Sequence, residues 1–175
     1  ADSRLGLRAS GAIGLLETLG LMLQGGHVDL GFVGGAQIDE VGNLNTTYIG
    51  PFEKAAVRLP GSGGGNDIVS SAKRIVVMMT HEKRKMVKKL DYLTSPGFLD
   101  GPEAREKVGL LGGGPELVVT NLCQMDFEPH TKRMRLATVH PGVSVQQVRE
   151  NSGFELIVPK DVPTTELPTY EELEL

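Results

Sequence analysis

The sequence predicts an α/β domain built on an open, mixed, centrally parallel sheet flanked by helices. Three observations carry this expectation. A strand, a glycine loop, a helix and a second strand follow one another between Val57 and Met79, the order of a βαβ unit. Ile75, Val76, Val77, Met78 and Met79 form an unbroken apolar run, the signature of a parallel strand buried on both faces. Met134, Leu136 and Thr138 alternate with Arg133, Arg135 and Ala137, as in a strand with one solvated face, so the sheet is mixed.

Taken in chain order, Ile13, Leu16, Leu19, Met22 and Leu23 follow helical spacing behind Ser10, and Gly25 and Gly26 supply a stop, so residues 11–24 are predicted helical. Residues 28–33 have strand length and apolar character and run into Gly34 and Gly35. A short strand over 57–59 is closed by Pro60, and a short helix is predicted from Asn66 to Ala72. In residues 81–89, Met86, Val87 and Leu90 suggest a buried stripe on a helix whose charges face outward. Further strands are predicted over 117–120 and 154–158, with a helix capped by Ser144 between them and a Pro/Thr/Glu-rich tail that turns helical only from Tyr170. Residues 28–33, 75–79 and 117–120 are expected in the interior of the sheet.

Composition excludes several functions. Hydrophobic residues at 39% and charged residues at 23% are globular usage, and no apolar run is long enough for a transmembrane helix. A net charge of -4 with no Trp and 5% aromatics argues against a nucleic-acid partner. Residues 1–8 lack the basic and apolar regions of a signal peptide, and the lone Cys123 cannot form an internal disulfide, so a cytoplasmic setting is expected. Cys123 is expected to be a small buried hydrophobe. His27, His130 and His140 have no ligand spacing around them, and no metal is expected. The chain starts at Ala1 without Met, which suggests a trimmed N-terminus.

Glycine is the compositional anomaly, with 23 residues against a usual share of about 7%. One cluster, Gly61, Ser62, Gly63, Gly64 and Gly65, precedes a helix start. Consecutive glycines there expose backbone N–H groups and suit a phosphate, a thioester oxygen or a developing oxyanion. Gln37, Asn43 and Asn45 lie just beyond a strand's C-terminal end, where open α/β sheets place ligands, and their amides can donate without adding charge. Asn43, beside Gly42, equally suits a turn.

Three segments occur in a fixed order: Gly34-Gly35-Ala36-Gln37-Ile38-Asp39 with Gly42-Asn43-Leu44-Asn45-Thr46-Thr47, then Arg58-Leu59-Pro60-Gly61-Ser62-Gly63-Gly64-Gly65, then His81-Glu82-Lys83-Arg84 with Asp91-Tyr92-Leu93-Thr94-Ser95-Pro96-Gly97-Phe98. In order and interval they resemble the β subunits of class I CoA-transferases of the glutaconate CoA-transferase type. The resemblance runs from about Leu30 to Phe154. It implies coenzyme A, as an acyl-CoA substrate, bound at Gly61, Ser62, Gly63, Gly64 and Gly65, with Gln37, Asn43 and Asn45 in the substrate pocket. Gly65 departs from the family's Ala or Phe at that place.

The resemblance further implies a homologous α subunit as partner, in an α2β2 assembly, and a glutamate nucleophile that forms an acyl anhydride and then a glutamyl-CoA thioester. By order of motifs that glutamate falls upstream of Ala1; Glu17, Glu40 and Glu53 do not match its setting. Residues 1–175 are thus expected to form one β-subunit domain without its N-terminal part. Two alternatives stay open. One is a hydrolase or decarboxylase of the same family acting on a CoA ester; the other is a non-catalytic chain completing a site on another polypeptide.

Overall fold

The computed structural model describes residues 9–174. In chain order the strands are β1 (Leu30–Val33), β2 (Gln37–Ile38), β3 (Leu44–Asn45), β4 (Tyr48–Ile49), β5 (Val57–Arg58), β6 (Arg74–Met78), β7 (Pro115–Val119), β8 (Cys123–Phe127) and β9 (Met134–Val139). The α-helices are α1 (Gly65–Ser71), α2 (Ala104–Lys107), α3 (Val145–Glu150) and α4 (Tyr170–Leu173). The main sheet has the order β1-β6-β7-β8-β9, parallel from β1 to β7 and antiparallel from β7 to β9. The expected mixed, centrally parallel sheet is therefore present.

One apolar core lies against this sheet. Ile75 and Val77 of β6, Val118 of β7, Met125 of β8 and Leu136 of β9 are buried, together with Val69 and Ala72 at the end of α1, Met86, and Val148 of α3. Alternation along β9 buries Met134, Leu136 and Val139 and leaves Arg135 half-buried, paired with Asp126 across the ladder at 2.6 Å. The Ser144 side chain accepts from the Gln147 N–H at 3.1 Å, so the predicted cap of α3 is made.

Several local expectations are corrected. The first helical segment is a π-helix over Glu17–Gln24, with the Thr18 hydroxyl donating to the Gly14 carbonyl one turn back. β1 is an edge strand among the described residues, bonded to β6 alone, and Phe32 on it is 60% exposed. An apolar run shows that a strand can be buried, not where in the sheet it lies. The strand at 57–58 pairs antiparallel with β4 rather than with β6, so the parallel crossover that α1 completes starts at β1. Residues 81–89 form turns and an extended stretch instead of a helix: the Ile38 N–H donates to the Lys85 carbonyl at 2.8 Å and the Val87 N–H to the Ile38 carbonyl at 2.9 Å. A stripe of three apolar residues was too short to fix a period. Of the strand expected over 154–158, only a single bridge from Ile157 to Arg135 is present, and the hairpin strand β8, not among the expected strands, alternates Cys123, Met125 and Phe127 with Gln124 and Asp126.

Arg105 of α2 is buried, yet its partners are all carbonyls. Its Nε and Nη2 donate to Gly112 at 3.1 and 3.0 Å, Nη1 to Pro96 and Gly97 at 2.8 Å each, and Nη2 also to Val69 at 3.0 Å. The planar fork thereby joins the C-terminal carbonyls of α1 to two loops. Burial lowers its pKa, although the carbonyls around it favour the cation. Arg105→Met should lower unfolding free energy by about 3 kcal/mol or more, because several buried carbonyls lose a charged donor. Arg105→Lys should recover only part of this, since a point charge cannot span the same fork. Urea denaturation of the three proteins checks the order.

Candidate functional site

The three sequence motifs meet in one hydrogen-bonded unit beyond the C-terminal end of β1. Asn45, fully buried, donates through Nδ2 to Gln37 Oε1 at 2.8 Å and to the Tyr48 carbonyl at 2.7 Å, while its Oδ1 accepts from the Thr47 N–H at 2.9 Å. Gln37 in turn donates to Asp91 at 3.0 Å and accepts from the Asp91 N–H at 3.1 Å. Asn43 donates to Asp39 at 2.8 Å and to the Leu99 carbonyl at 3.0 Å, and its Oδ1 accepts from the N–H groups of Gly97 and Leu99. A Cβ at Gly97 would lie 2.2 Å from the Gly42 carbonyl carbon, so glycine is required where these two loops cross.

This geometry refines the substrate-pocket expectation. Both amide hydrogens of Asn43 and both of Asn45 are already spent on protein acceptors, and Gln37 is tied to Asp91 on two sides. The three amides hold loops together, and the second N–H of Gln37 has no acceptor among the described residues. Their position next to a strand end was visible in the sequence, but the distant partners of Gln37 (Asp91) and Asn43 (Gly97 and Leu99) were not. Desolvation raises the Asp39 pKa, opposed by the bonds it accepts from the Asn43 side chain and backbone and from the Val41 N–H.

The glycine loop rests on this unit. The Gly61 N–H donates to the Thr46 carbonyl at 3.0 Å, the Thr46 hydroxyl returns a bond to the Gly61 carbonyl at 2.8 Å, and the Asn66 side chain donates to the Thr94 carbonyl at 3.0 Å. Thr94 closes the circuit through its hydroxyl, 2.9 Å from the Thr46 N–H and 2.7 Å from the Thr47 hydroxyl. Thr46, Asp91 and Thr94 thus belong to the site although no role was assigned to them from sequence; they lie inside two of the motifs, which was the available signal. Gly63 has φ +48, and a Cβ there would meet no atom within 4 Å. Gly65 opens α1, and an alanine Cβ there would come no closer than 3.8 Å to the Ser95 hydroxyl, so the departure from Ala leaves the backbone path intact.

His81 is buried behind this layer. The Ser152 hydroxyl donates to the Val148 carbonyl at 2.9 Å, so it accepts from His81 Nε2 at 3.0 Å, which assigns the proton to Nε2. Nδ1 then faces the Thr120 hydroxyl at 3.3 Å and the Cys123 thiol at 3.6 Å. Burial holds His81 down to about 4 and pushes the Cys123 thiol up to about 11, so this pair is neutral and structural rather than a nucleophile with its base. Among the described residues no three His, Cys, Asp or Glu side chains gather as a metal centre, and no helix is long and apolar enough to cross a membrane.

An open mixed sheet with an exposed glycine loop on a layer of hydrogen-bonded irregular chain defines a layered α/β protein. Residues 8–151 match the coenzyme A transferase family, and the chain belongs to that family. It is 40% identical over 173 residues to the B subunit of the 3-oxoadipate CoA-transferase of Pseudomonas knackmussii, and 49% identical over 134 residues to the B subunit of the glutaconate CoA-transferase of Acidaminococcus fermentans. These alignments cover 99% and 76% of this chain, and 66% and 50% of the respective relatives. The crystal structure of the Acidaminococcus fermentans glutaconate coenzyme A-transferase superposes with a TM-score of 0.77 at 45% identity, over 83% of this chain and 55% of that one.

Two outcomes follow from this geometry. Asn45→Asp would set an acceptor, or an unpaired charge, against Gln37 Oε1 and the Tyr48 carbonyl, and should cost about 3 kcal/mol or more in chemical denaturation; a loss below about 1 kcal/mol would show that the layer is held elsewhere. For His81, the unfolded chain binds a proton at about 6.5 and the folded chain only at about 4. Stability is therefore complete above the unfolded value and is lost as pH falls through this window, by about 2.5 kcal/mol from this residue at a pH near 4.5. His81→Gln should flatten that part of the stability profile, measured by urea unfolding at several pH values.

Proposed function

We propose that the chain forms the thioester-facing part of the B subunit of a heteromeric CoA-transferase, which moves CoA between an acyl-CoA and a small carboxylic acid of the glutaconate or 3-oxoadipate kind. The observation that carries this reading is the glycine loop. The N–H groups of Ser62, Gly63 and Gly64 donate to no other described residue, while the loop's ends are pinned at Gly61 and Asn66. Fixed, unpaired donors of this kind suit an oxygen that gains negative charge during reaction.

In the proposed reaction a glutamate carboxylate attacks the thioester carbonyl, and the charge that builds on its oxygen is met by the loop's N–H groups. Collapse expels CoA thiolate and leaves a mixed anhydride. The thiolate then attacks the glutamyl carbonyl, releases the first acid and leaves glutamyl-CoA. The second acid's carboxylate attacks that thioester to form a new anhydride, whose acyl carbonyl the thiolate finally takes, restoring the glutamate. By the order of the motifs the nucleophile is expected upstream of Ala1, in keeping with Glu40 being paired with Arg133 at 2.9 Å and Glu17 and Glu53 lying in the π-helix and an exposed turn. A homologous A subunit completes the site, in an α2β2 assembly.

Two substitutions separate a catalytic loop from a structural turn. Asn tolerates the left-handed backbone of Gly63 and puts a side chain on its open face. Gly64 has φ -84, and a Cβ there would only touch Leu19 at 3.6 Å. In the complete B chain with its A partner, Gly63→Asn should lower kcat/KM for CoA transfer about a hundredfold with little change in Tm, whereas Gly64→Ala should leave both near wild type. Normal turnover in Gly63→Asn would reduce the loop to a turn.

A further inference from the structure

We propose that Thr94 is a positioning residue for CoA transfer: it ties both ends of the glycine loop to one buried point and so holds the loop's N–H groups where charge develops. This inference rests on the CoA-transfer reading above, and it gives a role to a residue that touches no reacting atom.

Thr94 is buried, and its backbone is fixed to the apolar core. Its N–H donates to the Leu44 carbonyl at 2.9 Å, the Ser95 N–H donates to the same carbonyl at 3.1 Å, and the Leu44 N–H returns a bond to the Ser95 carbonyl at 3.0 Å. Leu44 itself belongs to the core cluster. From this point two arms reach the loop. The Thr94 hydroxyl accepts from the Thr46 N–H at 2.9 Å, and Thr46 clasps Gly61 in both directions, its carbonyl accepting from the Gly61 N–H at 3.0 Å and its hydroxyl donating to the Gly61 carbonyl at 2.8 Å. The Thr94 carbonyl accepts from the Asn66 side chain at 3.0 Å, and Asn66 Oδ1 accepts from the Ser70 hydroxyl at 3.0 Å one turn along α1, which fixes the orientation of the amide.

Gly61 and Asn66 thus share one support. Inside the stretch they bracket, the Gly65 N–H closes a turn on the Ser62 carbonyl at 2.7 Å, and the N–H groups of Ser62, Gly63 and Gly64 donate to no other described residue. Their direction is therefore set by the two ends. A donor held in place beforehand needs no reorganisation when charge appears on the substrate oxygen, and that is the source of its effect on the rate. Releasing either arm leaves the donors present but no longer fixed, which weakens binding of the transition state more than binding of the acyl-CoA.

The test uses the complete B chain with its A partner and measures kcat and KM for CoA transfer. Thr94→Val, which keeps the shape and removes the hydroxyl, should lower kcat by about 10- to 100-fold while KM for acyl-CoA stays within about twofold of wild type. Thr94→Ser keeps the hydroxyl and should restore most of the rate. Asn66→Ala, at an exposed position, releases the other arm and should lower kcat in the same way with little change in Tm. Thr94→Val combined with Gly63→Asn should be little slower than Gly63→Asn alone, because a loop already obstructed has no placement left to lose. A lower Tm with kcat intact, or a rate loss that multiplies in full with that of Gly63→Asn, overturns the inference while leaving CoA transfer in place. If circular dichroism shows that Thr94→Val does not fold, Asn66→Ala decides alone, and a normal kcat there overturns the inference. Normal turnover in Gly63→Asn, by contrast, overturns the catalytic reading of the loop and this inference with it.

Discussion

The buried side chain of Asn45 is the constraint on which the rest of the site depends. Residues 34–64 and 79–103 contain no strand longer than two residues, so most of their backbone polar groups cannot be satisfied by a ladder. Such groups, taken from water, cost free energy unless a partner is found. A carboxamide offers two donors and an acceptor on one planar head, and Asn45 uses all of them on Gln37, Tyr48 and Thr47. Asn43 repeats the device on Asp39, Gly97 and Leu99. A carboxylate at either place would bring a charge to desolvate, and an apolar residue would orphan the loops.

The molecule therefore has two layers held by different forces. Beneath is an apolar core on a five-stranded sheet, whose stabilisation scales with the area withdrawn from water. Above it is a layer of irregular chain held by amides, threonine hydroxyls and one buried guanidinium. Arg105 links the layers, because its fork reaches the end of α1 as well as the Pro96 and Gly97 carbonyls. The glycine loop lies between two supports, with Thr46 at its start and Thr94 just past its end, so the residues between them need no contacts of their own to stay in place.

What was legible in the sequence follows from which interactions are local. β6 and β7 were readable because an unbroken run rich in Ile, Val and Leu favours a strand, although burial alternates along both and Met78 is 56% exposed, and α3 because its cap lies within four residues. The edge position of β1, the pairing of β5 with β4 and the non-helical path of residues 81–89 depend on contacts far apart in sequence, and no periodicity encodes them. The site shows the same division. The glycine loop and the amides were found as motifs, and their proximity is real. The bonding of Gln37 and Asn43 was not readable, because their partners Asp91, Gly97 and Leu99 come more than fifty residues later, whereas Asn45 bonds to Gln37, Thr47 and Tyr48 nearby.

The placement of charge in this layer is consistent with the proposed chemistry. A nucleophilic carboxylate next to a full positive charge would be stabilised in its ground state and made less reactive, so the reacting end of the substrate is better served by neutral dipoles that strengthen only as charge develops on oxygen. The loop between Gly61 and Asn66 contains no cation. Neutral amides below and open N–H groups at the loop serve one requirement of the proposed chemistry: the reacting carbonyl must meet donors that neither move nor carry charge.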